Sequence, residues 1–333
     1  MISAEEIRTK IRQLFEDGSI SHFIGYEAGS DSLHVTPCFL KSGQATSRLV
    51  WNPLCANNLS KYLLDFKKVE GKVGIMVKGC DSRSVVELLK ENQIDRDKVF
   101  IVGIPCGGIV NTEKLLDVLG ISPGKVIGVE YYDGDSFLVT FEDGGEDILG
   151  HRLDYRSVRV EKEKVLRGEC LACKYPTPVV YDVLLGEAVS NLPWANDGYS
   201  KVKELEALSA AEKEHYWKRE LSRCIRCYAC RNICPVCNCP ECIFDKKAPR
   251  WLSKANDISE NLVYHLVRAF HVAGRCVDCG ECERACPMNI PLRSLNKKVE
   301  KDILELFNYT AGVDIKQQPP LTTYQVGDLE EFL

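Results

Sequence analysis

Four cysteines at one spacing, each set closed by a proline, occur twice in this 333-residue chain. CIRCYACRNICP supplies Cys224, Cys227, Cys230 and Cys234 before Pro235, and CVDCGECERACP, 52 positions on, supplies Cys276, Cys279, Cys282 and Cys286 before Pro287. Thiolates in a C-x2-C-x2-C-x3-C-P run are the ligands of cubane iron–sulfur clusters, whose chemistry is one-electron transfer. Three thiolates two residues apart wrap one face of a cube, while the fourth, turned away by the proline after it, reaches the neighbouring cube. The spacing therefore predicts crossed ligation of two 4Fe-4S clusters: Cys224, Cys227, Cys230 and Cys286 around one, and Cys276, Cys279, Cys282 and Cys234 around the other. A pair of zinc ribbons is the competing reading. It uses four cysteines in two separated pairs and leaves the third cysteine and the C-P ending of each run unexplained.

The elements around these runs read as two textures. Residues 1–200 read as α/β. KVGIMVKG (72–79) is an apolar strand, DSRSVVELLKENQ (81–93) a helix capped by Asp81 or Ser82, and KVFIVGIPC (98–106) a second apolar strand. This is one βαβ unit, hence a parallel pair. The carboxyl ends of its strands carry Gly79-Cys80-Asp81-Ser82-Arg83 and Pro105-Cys106-Gly107-Gly108, on the edge where open α/β sheets bind ligands. Gly79, Asp81, Ser82, Arg83, Gly107 and Gly108 are accordingly the candidate cofactor-binding residues. VIGVEYYDGDSFLVTFEDG reads as a hairpin turning at Asp133-Gly134. Residues 201–308 read as mainly α, beginning with the charged segment KVKELEALSAAEKEHYWKRELSRC. In DISENLVYHLVRAFHVAGR, Leu262, Leu266 and Phe270 fall on one helical face, and His265 and His271 read as packing or solvent-facing groups rather than ligands. Residues 309–333 read as an extended tail that lies on the protein or docks a partner.

Composition narrows the function classes. The formal net charge of -5 gives no general attraction to nucleic acid. Basic residues do flank the first cysteine run (Lys218, Arg219, Arg223, Arg226, Arg231), where they offset the charge of a thiolate-ligated cluster, steer an acidic redox partner, or form a solvated face. Seventeen cysteines that must stay reduced point to an anaerobic cytoplasm rather than to a disulfide framework. The N-terminal stretch carries Ile2, Ile7, Ile11 and Leu14 as a helical stripe among charges, not as an apolar signal core, and no run of about twenty apolar residues reads as a membrane span. Ser-His-Asp order, P-loop and GxGxxG are all missing, so hydrolase, kinase and dinucleotide readings have no footing.

Two resemblances extend this reading. The long helical connection between the cysteine runs, over about residues 210–300, resembles the α-helical dicluster ferredoxin domain of heterodisulfide reductase small subunits and of the iron–sulfur subunit of succinate dehydrogenases. KGCDSRSVVELLKE, VGIPCGG and CLACKYPTPVVYDVLLGE resemble, in order and approximate spacing, the beta-subunit family of coenzyme F-420 (deazaflavin) hydrogenases and formate dehydrogenases. In that family the corresponding turns build a site for FAD beside an iron–sulfur cluster; the matching positions here are Gly79, Cys106, Cys170 and Cys173, with Asp182 and Gly186 trailing. The resemblance implies a third cluster on Cys80, Cys106, Cys170 and Cys173. The flavin-bearing members have a glycine pair after the strand, whereas this chain has Cys80-Asp81-Ser82-Arg83, which argues against close approach of a flavin ring. A helix N-terminus beside Lys78 and Arg83 still suits an anionic group, and it is expected to lower the Cys80 pKa. Of the remaining cysteines, Cys237, Cys239 and Cys242 form a triplet lacking one ligand, with Cys55 the first candidate to complete a fourth cluster and Cys38 the reserve.

The sequence thus predicts an α/β domain over 1–200, a dicluster domain over 201–308 and a tail over 309–333. The expected function is that of an iron–sulfur electron-transfer subunit of an anaerobic complex: a hydrogenase, a formate dehydrogenase or a heterodisulfide-reductase-like assembly. One alternative is an FAD-containing catalytic beta subunit acting on a deazaflavin or nicotinamide coenzyme. Another is the iron–sulfur subunit of an anaerobic sulfite reductase or sulfhydrogenase.

Overall fold

The computed structural model describes residues 2–144, 155–253 and 255–323. Its compact units are not contiguous in sequence: one comprises Met1–Ser82 and Ile94–Gly198, the other Arg83–Gln93 and Tyr199–Leu333.

The first unit holds eight strands among the described residues: β1 (His22–Ala28), β2 (Val35–Leu40), β3 (Val73–Val77), β4 (Val99–Gly103), β5 (Val126–Tyr131), β6 (Ser136–Glu142), β7 (Tyr155–Glu161) and β8 (Val183–Leu184). Five form a mixed sheet in the order β2-β1-β3-β4-β8, and three form an antiparallel sheet in the order β5-β6-β7. The parallel pair read from sequence is β3 and β4, in register from Val73 opposite Val99 to Val77 opposite Gly103. Every residue of β3 is buried, the pattern of a central parallel strand. Helix α1 (Ala4–Glu16) is opened by a Ser3–Glu6 capping box and buries Ile7, Ile11 and Leu14, three of the four stripe residues. Helix α2 (Gly79–Lys90) starts two residues before the expected position. The Asp81 carboxylate accepts from the Lys78 backbone N–H (3.2 Å) and the Ser82 hydroxyl donates to the Gly79 carbonyl (2.7 Å), so the first turn is tied at Lys78 and Gly79. The hairpin turns at Asp133, and Phe137, Val139 and Phe141 of β6 pack with Val126, Val129 and Val160 over Leu33, Leu54 and Leu115. Helices α3 (Thr112–Leu119), α4 (Lys162–Val165) and α5 (Gly168–Leu171) complete the unit; α5 carries Cys170.

The second unit is helical among the described residues: the part of α2 from Arg83 onward, then α6 (Ser200–Ala207), α7 (Ala210–Ser222), α8 (Ala229–Asn232), α9 (Ile258–His271), α10 (Glu281–Arg284) and α11 (Leu292–Phe307). The charged segment ahead of the first cysteine run breaks at Leu208 because Ser209 and Glu212 form a capping box that starts α7 afresh. Helix α9 forms where expected, but its buried face differs. Asn261, Tyr264, His265, Arg268 and Ala269 are buried, while Leu266 and Phe270 are 52% and 60% exposed. The beginning of the tail, Tyr309 to Gly312, lies against α2, and its end at 324–333 is outside the described residues. Arg83 donates to the Ala311 carbonyl (2.7 Å), and the Gly312 N–H donates to Glu87 (2.6 Å). Gly312 has φ +71°, and a Cβ there would stand 2.4 Å from the Arg83 carbonyl oxygen, so glycine is required. Among the described residues no helix is long and apolar enough to cross a membrane.

Candidate metal centres

The two cysteine loops of the second unit share one backbone device. The residue before the second cysteine and the residue after it are left-handed in both: Arg226 (φ 49°) and Tyr228 (φ 60°) in the first, Asp278 (φ 56°) and Gly280 (φ 72°) in the second. Left-handed non-glycine residues cost about 1–2 kcal/mol each, so neighbours must hold them. Arg226 is held by Glu260 (3.1 Å) and the Ser253 carbonyl, and Asp278 by Arg293 (2.6 Å) and Lys297 (2.9 Å). Each loop then enters a single helical turn, α8 or α10, that carries the third cysteine.

Cys224, Cys227 and Cys230 line one pocket together with Cys286 and Pro287. The charge of Cys286 acts on both Cys224 and Cys230. Cys234 is instead an electrostatic neighbour of Cys276 and Cys282. Burial pushes the Cys276 thiol up to about 12, with Asp278 adding to the rise. Such thiols stay protonated at neutral pH, so loading iron there must release their protons. Among the described residues no three His, Cys, Asp or Glu side chains stand at the spacing of a single metal ion.

Polar groups from α9 and α11 meet these sulfurs. His265 Nε2 is 3.3 Å from Cys224 Sγ, the Tyr264 hydroxyl 3.7 Å from Cys230 Sγ, and Asn296 Nδ2 3.5 Å from Cys282 Sγ. Burial, helped by Arg268 and Arg226, holds His265 down to about 4, so the imidazole is neutral, and its tautomer protonated at Nε2 donates to a thiolate. Hydrogen bonds to sulfur stabilise the reduced form of a cluster. The surroundings fit anionic clusters in a second respect. Arg268 Nε is buried with no hydrogen-bond partner, and the electrostatic neighbours of this guanidinium are the thiols of Cys234, Cys282 and Cys230 and the Tyr264 hydroxyl.

In the first unit the structure brings Cys80, Cys106, Cys170 and Cys173 together: Cys106 and Cys173 both act electrostatically on Cys80 and on Cys170. Ile109 N–H donates to Cys170 Sγ (3.3 Å), and the Tyr131 hydroxyl lies 3.9 Å from Cys106 Sγ. The expectation of a lowered Cys80 pKa fails. Burial and the adjacent Asp81 carboxylate push the thiol well above its ordinary value, against the pull of Lys78. Lys78 itself is buried, paired with Asp81 (2.9 Å) and bonded to the Tyr26 hydroxyl and the Asn57 carbonyl. The Arg83 guanidinium meets the carbonyls of Ala311 and Val277 within the second unit. Both cations expected to receive an anion are therefore engaged with protein groups. The glycines have packing reasons too. A Cβ on Gly79 would lie 1.6 Å from the Tyr175 carbonyl oxygen, one on Gly107 would touch the Tyr131 ring, and Gly108 (φ +93°) meets Leu166. The Ser82 hydroxyl accepts from Val179 N–H (2.9 Å).

Cys55, the proposed partner of the Cys237–Cys242 triplet, is placed in the first unit, with Cys106 among its electrostatic neighbours and its thiol pushed up to about 12 by burial. In the triplet, Cys242 hydrogen-bonds with Arg231, Cys239 is exposed, and the Cys237 N–H donates to the Cys234 carbonyl (3.2 Å). Cys38 is buried on β2 opposite Gly25. Sequence reasoning missed Tyr264, His265, Arg268 and Asn296. The available signal was the polar stripe Asn261, Tyr264, His265 and Arg268 at helical spacing, obscured by the more obvious leucines.

A helical unit with two cysteine loops of one design, buried donors at the sulfurs and an unpaired buried cation defines an iron–sulfur electron-transfer protein. Residues 70–204 match the protein-family model described as the C terminus of the coenzyme F420 hydrogenase/dehydrogenase beta subunit, and residues 220–290 match the 4Fe-4S dicluster domain. The chain thus joins a domain of the deazaflavin hydrogenase and dehydrogenase beta-subunit family to a 4Fe-4S dicluster domain. It is 26% identical over 366 residues to the F420-dependent formate dehydrogenase subunit beta of Methanocaldococcus jannaschii, covering 93% of this chain and 92% of that protein. It is 25% identical over 361 residues to the F420-dependent formate dehydrogenase 1 subunit beta of Methanococcus maripaludis, covering 93% and 91%. A chain of the F420-reducing [NiFe] hydrogenase complex from Methanosarcina barkeri aligns at 19% identity with a TM-score of 0.40, over 51% of this chain and 59% of that one.

Proposed function

We propose that this chain is the electron-transfer subunit of an anaerobic, cytoplasmic oxidoreductase complex, and that it passes single electrons between partner redox sites. The observation that carries the reading is the pocket shared by Cys224, Cys227, Cys230 and Cys286, which draws ligands from both cysteine runs. It supports the crossed 4Fe-4S ligation read from the sequence, with Cys276, Cys279, Cys282 and Cys234 around the second cluster. When bound, the clusters supply the one-electron carriers. The protein's own part is to bury Cys224, Cys230 and Cys282, to aim His265, Tyr264 and Asn296 at sulfur, and to fix the loops through Glu260, Arg293 and Lys297. The set Cys80, Cys106, Cys170 and Cys173 serves a third cluster in the first unit. The names of the two relatives support formate oxidation and reduction of the F420 coenzyme as the two ends of the path.

The test is anaerobic purification of the full chain with iron, flavin and electron paramagnetic resonance measurements. Two cubane signals and iron above the eight atoms of two clusters are expected, with Cys80→Ala losing iron from the excess. Reconstitution that stops at eight atoms removes the third cluster, and zinc in place of iron removes the electron-transfer reading altogether. FAD at one per chain would move the first unit to the catalytic beta-subunit role.

A further inference from the structure

Among the described residues, Arg268 is the one member of the buried stripe on α9 whose charge has no counterpart. It is 4% exposed, it makes one hydrogen bond, from Nη2 to the Cys230 carbonyl (2.9 Å), and its Nε has no partner. Asn261, three residues before Tyr264, donates to the carbonyls of Leu221 and Cys224, so the same face of α9 grips the first cysteine loop at both its ends. Taking a charge out of water without an opposite charge costs several kcal/mol, and removing one partner of a buried pair is strongly destabilising for that reason. A guanidinium cannot escape the penalty by losing its proton. Among the described residues it forms no ion pair, and its strongest electrostatic neighbours are thiols from both runs: Cys230 in the first loop, Cys282 in the second, and Cys234 between them. Each 4Fe-4S cluster with four thiolates is a net anion, so loading supplies the missing counter-charge from two sides.

We propose that Arg268 is an electrostatic junction shared by the two clusters, a positioning residue whose fixed charge raises the reduction potential of both. The inference rests on the crossed-ligation reading given under Proposed function. An electron arriving on either cluster is stabilised by the same guanidinium, and because arginine stays protonated the stabilisation is constant across physiological pH. The Cys230 carbonyl bond fixes where the charge sits.

The test uses the full chain, purified anaerobically, as wild type, Arg268→Gln and Arg268→Lys, with iron content and redox-poised electron paramagnetic resonance as readouts. Arg268→Gln is expected to shift the midpoint potentials of both clusters to more negative values, while Arg268→Lys, which keeps the charge, stays close to wild type. Should Arg268→Gln fail to hold its iron, retention of iron by Arg268→Lys gives the same support, since charge is then what loading needs. Unchanged potentials in a loaded Arg268→Gln protein, a shift confined to one cluster, or equal loss of iron in both variants would overturn the junction and leave a packing role. If the wild type itself shows no cubane signal, it is the parent reading that fails, and the two failures are told apart.

Discussion

In the first unit the buried cation beside Cys80, Lys78, already has a carboxylate at 2.9 Å, whereas in the second unit Arg268 is buried among thiols and leaves one of its nitrogens without any partner. Lys162, a second buried cation of the first unit and an electrostatic neighbour of Cys106, donates to the carbonyls of Asp133 and Gly134 and has the Asp133 and Asp135 carboxylates nearby, whereas Arg268 forms no ion pair among the described residues. The donors divide in the same way. Besides backbone N–H groups, which both sets have, the first set meets one tyrosine hydroxyl, while the second is met by an imidazole, a hydroxyl and an amide from two helices. Donors and uncompensated cations both favour the reduced state of a cluster. For the third cluster proposed above, the difference orders the expected potentials, with the second unit the more readily reduced.

The largest expected effect breaks the second region outright. Cys286→Ala should remove the cluster of the first loop, read as loss of one cubane's iron and of its resonance, with the signal of the other cluster retained. Selective loss of the second-loop signal would instead reject the crossed assignment. Next comes the neutralised pair of the first region. Lys78→Met leaves Asp81 buried without its cation and should lower unfolding stability by about 3–5 kcal/mol, whereas Lys78→Met with Asp81→Asn should recover most of that loss in denaturant titrations. Failure of the double variant to recover would show that Lys78 serves the thiols more than Asp81. A smaller effect is expected at Glu260, which is partly exposed: Glu260→Gln weakens the hold on left-handed Arg226 and should cost about 1–2 kcal/mol, with faster loss of iron from the first loop under a chelator. Smallest is Phe270→Ser on the exposed side of α9, expected to lie within about 0.5 kcal/mol of wild type by thermal melting. A large loss there would mean the apolar side of α9 is the buried one.

Much of this was legible in the chain, and the gaps have physical causes. The C-x2-C-x2-C-x3-C-P runs are local and chemically specific, so both loops were visible, as were the parallel pair β3 and β4 and the Asp133 turn. Strands β1 and β2 were not read, because the half-buried β2 presents no clean alternation. On α9, apolar spacing pointed to Leu262, Leu266 and Phe270, but burial followed the sulfurs, and polar side chains took the inner face because they have sulfur and carbonyl partners there. The electrostatic reading of Cys80 failed similarly. A helix N-terminus is visible in sequence, whereas the depth of burial and the turn of Asp81 toward Lys78 are not.

The stretch Arg83–Gln93 belongs to the second unit while lying in the middle of the first unit's sequence. Arg83 holds the Val277 carbonyl inside the second cysteine loop, Glu87 holds Gly312, and Glu91 pairs with Arg275 just before Cys276 and accepts from Asn238 (2.6 Å). These contacts span 194 residues for Arg83 to Val277 and 225 for Glu87 to Gly312. During synthesis, three charged side chains on this stretch therefore wait for partners that emerge long after them, and the second cysteine loop cannot be braced until the stretch from the first half of the chain is in place. A fragment beginning near residue 199 would contain all eight cysteines of the two loops and still lack the helix that steadies one of them.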